Sequence, residues 1–137
     1  MRHRNIYTPM PKIKSPSKKN EPAFLNDIKE DGYHVYSLKN AKIPNYYPPE
    51  LPKYPGANIK DLKIDDVITI RIFFGKGAGK DLRIDAGYID LEVEQIEDDA
   101  ILAVILTNLP EGFPLAAGDS IEVYEDEILY RTKSTEH

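Results

Sequence analysis

The stretch YIDLEVEQIEDDAILAVILTN, residues 88–108, decides the fold. Tyr88, Asp90, Glu92 and Glu94 alternate with Ile89, Leu91 and Val93, the period-two pattern of a strand with one solvated face. Ile96 breaks that phase, which predicts a bulge or a strand end. Glu97, Asp98 and Asp99 supply a turn. The nearly continuous apolar run over 100–107 then reads as a second strand, central in a sheet or covered on both sides. Together they predict a β-hairpin.

Working outward, VITIRIFF (67–74) alternates Ile68, Ile70, Ile72 and Phe74 with Val67, Thr69, Arg71 and Phe73. The first set is the expected core face. GKGAGKDLRIDAG (75–87) reads as a flexible excursion, because glycine releases the backbone. Downstream, NLPEGFPLAAGD (108–119) leads through Gly118-Asp119 into a strand SIEVY (120–124). Glu125, Asp126 and Glu127 turn the chain again into ILYRT (128–132). Short strands with turn chemistry between them predict a mainly β fold. The expected form is a compact antiparallel sheet or a small, partly open barrel, with one short N-terminal helix.

That helix is expected over 21–32. Pro22 suits its first turn, Glu21 and Asp27 lie toward its positive end, and Gly32 stops it. Phe24, Leu25 and Ile28 share one helical face. YHVYSL (33–38) follows as a strand, with Tyr33, Val35 and Ser37 on one side and His34, Tyr36 and Leu38 on the other. Residues 40–58 hold Pro44, Pro48, Pro49, Pro52 and Pro55 among Tyr46, Tyr47 and Tyr54. Proline removes ladder donors and keeps its predecessor extended, so this is a wrapping connection. Its tyrosines either cap the β unit or form an aromatic surface for a partner. Residues 1–20 read as a flexible basic arm, 21–132 as a single small β-rich domain and 133–137 as a frayed tail. No internal repeat is evident.

Composition narrows the function classes. The net charge of −5 argues against nucleic acid as the main partner. The absence of cysteine removes disulfide and thiolate chemistry, and three histidines leave little for a zinc site. No cofactor is expected. No long apolar run follows the basic N-terminus, so neither a signal peptide nor a membrane span is expected, and a cytoplasmic location is. Charge is divided along the chain. Residues 1–20 carry six Lys and Arg and no acid, whereas 85–130 carry thirteen Asp and Glu and no base.

No motif carries a reaction. Gly75, Gly77, Gly79 and Lys80 lack the frame of a phosphate-binding loop, and Asp81 stands where a hydroxyl is required. With Arg83, Lys76 and Lys80 form a basic patch suited to contact. Asp90, Glu92 and Glu94 form either a solvated face or a docking surface for a basic partner; general acid work needs a raised pKa, from burial or a close like charge. Glu125, Asp126 and Glu127 lack calcium-loop spacing. His34 reads as a structural or surface residue, and Ser37 and Ser120 lack a nucleophile's context.

Three runs carry a resemblance: LKIDDVITIRIFFG, GYIDLEVEQIEDDAILAVILTNLP and LAAGDSIEVYEDEI. Over 62–128 they resemble a small uncharacterised bacterial β-domain family, some of whose relatives look like immunity or accessory proteins. That family repeats a phrase of leucine, glycine-aspartate and strand. Residues 62–67 resemble the first phrase, with Asp65 where glycine is usual. Asn108 and Pro110 resemble its turn. Leu115, Gly118 and Asp119 resemble the second phrase, closed by Glu127 and Ile128. The resemblance implies no catalytic residue.

The expectation is therefore a non-enzymatic protein-binding or accessory module. Its partner-binding residues would be Tyr46, Tyr47, Tyr54, Lys76, Lys80, Arg83, Asp90, Glu92 and Glu94. The expected partner is a protein, with a basic one fitting the acidic face. The alternatives are a hydrolase-like enzyme using clustered carboxylates and a nucleic-acid accessory protein using arm 1–20.

Overall fold

Residues 67–76, with their β-branched alternation, enter the longest strand pairing among the described residues, opposite 83–92. A computed structural model describes residues 23–43, 46–47, 53–77 and 79–133. Among these, one α-helix, α1 (Ala23–Asp31), precedes strands β1 (Tyr33–Val35), β2 (Val67–Lys76), β3 (Arg83–Ile96), β4 (Ala100–Ile105), β5 (Ser120–Tyr124) and β6 (Tyr130–Lys133). The sheet is antiparallel, with order β1–β2–β3–β4–β5 and β6 beside β2. β3 pairs along all of β2, so β1 and β6 share its other edge.

The expected hairpin is β3–β4, and the phase break at its end is a register shift between Val93 and Gln95. The excursion over 75–87 is corrected. β2 runs to Lys76 and β3 begins at Arg83, so strand pairing absorbs most of it. Gly75 is glycine because α1 crosses there. A Cβ at Gly75 would lie 2.7 Å from Ile28 Cγ2 and 2.9 Å from Leu82 Cδ1.

β5 and β6 follow each other in the chain yet pair with β4 and β2 respectively. Residues 125–129 cross between those strands. On the way the Asp126 carbonyl accepts the Leu38 N–H at 2.7 Å, and the Leu129 N–H donates to the Thr69 carbonyl at 3.0 Å. The Glu125 carboxylate accepts the Ile59 N–H at 2.8 Å, and the buried Glu127 accepts that of Tyr124 at 3.0 Å. These bonds draw the sheet into a curled half-barrel. Its interior holds Ile68, Ile70, Ile72, Ile89, Leu91, Val93, Ile101, Ile105, Ile121, Val123 and Ile128.

The two leucine-to-aspartate phrases fold alike. Asp66 and Asp119 each turn back on the chain, their N–H groups donating to Lys63 and Ala116 carbonyls, both at 3.0 Å. Their carboxylates accept the Lys63 and Ala116 N–H groups at 2.9 and 3.0 Å. Asp65 and Gly118 then donate to the carbonyls of Val93 and Ile105 at 2.9 and 2.8 Å, and both acceptor residues donate back to the following aspartate at 2.8 Å. One turn thus launches both β2 and β5.

The basic arm 1–20, the proposed helix start at Pro22 and residues 134–137 lie outside the described residues. Among those described, no helix is long and apolar enough to cross a membrane.

Candidate functional site

Strand parity divides the sheet into two faces, and the outer one carries the polar chemistry. On β2 it presents Thr69, Arg71 and Phe73, opposite Asp90, Tyr88 and Ala86 of β3. A second apolar cluster covers the Phe73 end: Phe24 and Ile28 of α1, Tyr36 and Leu129, with Tyr46, Tyr47, Tyr54 and Tyr130 packed around them. The tyrosines of the proline-rich wrap are therefore part of a layer. Tyr47 lies nearly parallel to Phe73, at 15° and 5.6 Å between centroids.

Beneath that layer, three elements meet at His34. Its Nδ1 lies 2.6 Å from Asp27 Oδ2 of α1, and its Nε2 lies 2.9 Å from the Tyr47 hydroxyl. The same hydroxyl accepts the Ser37 N–H at 2.8 Å. With the imidazole proton on Nδ1 toward Asp27, Tyr47 donates to Nε2 and every group is satisfied. Burial pushes the Tyr47 hydroxyl far above the ordinary tyrosine range, more than the Ser37 N–H draws it down. Burial also raises Tyr36, against the opposing Arg71 charge, and Tyr46, to which Asp27 adds.

Arg71 occupies the middle of the outer face. Its guanidinium carbon stands 4.8 Å from the Tyr88 ring centroid and 5.7 Å from that of Phe73. Tyr54 closes the group: its hydroxyl lies 2.5 Å from that of Tyr88, and its ring stacks toward Tyr130. Burial raises Tyr54, and the Tyr88 hydroxyl adds to the rise.

The remaining expected contact residues separate into two places. Asp90, Glu92 and Glu94 lie on the outer face of β3, continuing the row from Tyr88. Asp90 accepts the Thr69 hydroxyl at 2.8 Å, and Glu94 that of Ser120 at 2.9 Å. Glu122 of β5 joins this acidic side. Lys76 and Arg83 face each other at the tip of the β2–β3 hairpin, with exposed Lys80 in its turn. Lys76 Nζ lies 3.1 Å from Asp85 Oδ2.

The structure adds Asp27, Arg71 and Tyr88, which no motif singled out. The available signal was a single arginine inside VITIRIFF, a strand whose neighbours are otherwise apolar or hydroxylic. Among the described residues no metal-ligating cluster forms. Compared with known proteins, the chain matches no family model, no curated protein and no solved structure.

Proposed function

We propose that this protein is a non-enzymatic binding or accessory module that receives a basic protein on the outer face of β3–β5. The observation that carries the reading is the division of that face. α1 packs on β1 and β2. Glu92 and Glu122 are half-exposed and Glu94 is exposed, around the half-buried apolar side chains of Leu102 and Val104. An apolar centre rimmed by one sign of charge suits docking of an oppositely charged partner.

The Asp27–His34–Tyr47 line has the order of a base-activated hydroxyl, which is the form a hydrolase reading would take. A phenol kept protonated by burial, and already accepting a backbone N–H, suits a bracket better than a nucleophile. That favours binding over catalysis.

The test is retention of a panel of purified basic proteins by wild type and by the E92S/E94S/E122S variant. Asp90 is spared because it holds Thr69. Three rim charges at ~0.2–1 kcal/mol each predict a loss of roughly three- to a hundredfold, weakened further by salt. Undiminished retention by the triple variant, or no retention by wild type at low salt, would overturn the proposal.

A further inference from the structure

We infer that Arg71, with the hydroxyl pair of Tyr54 and Tyr88, is a binding site for a carboxylate group. The site adjoins the acidic docking face on β3 and stands whether or not that face binds a protein.

Arg71 is half-buried, yet its guanidinium has neither an ion-pair nor a hydrogen-bond partner among the described residues. Its Nε is fully buried and unpartnered. The nearest acidic position across the strands is Asp90, opposite Thr69 rather than Arg71, and one of its oxygens accepts the Thr69 hydroxyl. A buried guanidinium N–H without an acceptor is costly. Ring contacts recover part of that cost. They hold the guanidinium over the Tyr88 and Phe73 rings, leaving its terminal N–H groups as the donors a ligand would meet.

A second donor lies beside it. When Tyr54 and Tyr88 share one hydrogen bond, one hydroxyl is the donor and the other keeps its own proton for an outside acceptor. Tyr88 is 45% exposed, so the pair is reachable from solvent. A guanidinium edge and a phenol proton match a planar group with two acceptor oxygens. Asp90 and Glu92 follow Tyr88 on the same face of β3. Their charge penalises a dianion more than a monoanion, which selects carboxylate over phosphate.

The site is tested by titrating the isotopically labelled full chain with acetate, inorganic phosphate or chloride at constant ionic strength, following backbone amide shifts. Acetate is expected to give a saturable response centred on Tyr36, Arg71 and Tyr88, in the millimolar range. R71Q should weaken it about tenfold or more, with thermal melting confirming the fold. Y88F keeps the ring and removes one hydroxyl, and should weaken it about threefold. No saturable response, tighter binding of phosphate, or an unchanged response in folded R71Q overturns the inference. If R71Q does not fold, an unchanged response in Y88F does so. N-acetyl-Ala-Leu-Ala with a free terminus, and its amide, then separate the sources. A peptide acid that outbinds acetate assigns a chain terminus, whereas equal affinity assigns a free small carboxylate. An amide that binds as well as the acid overturns the carboxylate assignment.

Discussion

Asp65 holds φ at +77°, in the left-handed region, at the place where the second phrase has Gly118 at +95°. The turn needs that conformation because the same N–H must reach across to the neighbouring strand in both copies. An L-residue other than glycine is strained there by roughly 1–2 kcal/mol, less for Asp than for most. D65G is therefore expected to stabilise the fold by about 0.5 kcal/mol after the greater freedom of the unfolded glycine chain is counted. G118A should do the reverse and cost about 1–2 kcal/mol. Nothing lies within 4 Å of a Cβ at Gly118, so that loss isolates backbone strain from crowding. Urea unfolding of both variants is the measurement. Two losses would mean that the Asp65 side chain contributes more than its backbone costs.

At the scale of elements, the crossing of α1 over β2 depends on the bare backbone at Gly75. G75A forces its new methyl into Ile28 and Leu82, with an expected cost of about 1–3 kcal/mol. Shortening the other partner should make room, so G75A/I28A is expected to lose less than the two single variants summed, by about 0.5–1 kcal/mol. A simple sum would mean that the helix and strand are not in the contact described. Gly75 also shows where sequence reading reached its limit. The alternation over 67–74 and 88–93 revealed the interior face, because one side of each stretch is wholly apolar. Gly75 read as the start of a loop, since a missing side chain looks the same whether it serves freedom or close approach. Likewise, Tyr46, Tyr47 and Tyr54 announced either a cap on the β unit or an aromatic surface, and they pack against its outer apolar cluster. The pairing of His34 with Asp27 and Tyr47 joins a strand, a helix and a proline-rich wrap, and no spacing in the chain encodes that meeting. Arg71 stood out only as a lone charge in an apolar strand, and its surroundings stayed hidden because Tyr54 and Tyr88 arrive from two other segments.

For the whole molecule, the outer tyrosine layer ties stability to alkaline pH. Burial raises Tyr36, Tyr46, Tyr47 and Tyr54 above their ordinary value in the folded chain. Unfolded tyrosine ionises near ~10, so above that pH the unfolded state gives up protons that the folded state retains. The stability these groups contribute is complete below about pH 10 and is lost as pH rises toward their folded values, at up to about 1.4 kcal/mol per pH unit for each. The folded protein should therefore show a flat stability profile from neutrality to about pH 9, then a steep fall. Tyr47 is the group to remove, since it is also the bracket between Ser37 and His34. At pH 7, Y47F is expected to cost about 1–3 kcal/mol, because it strands the Ser37 N–H and one ring nitrogen. Above pH 10 it has one fewer titrating phenol, so its stability should fall less steeply and the gap to wild type should narrow. Urea unfolding across this range, followed by far-ultraviolet circular dichroism, reads both effects. Parallel curves for wild type and Y47F would sink the account: Tyr47 would then titrate alike in both states, and the layer would not be closed to water.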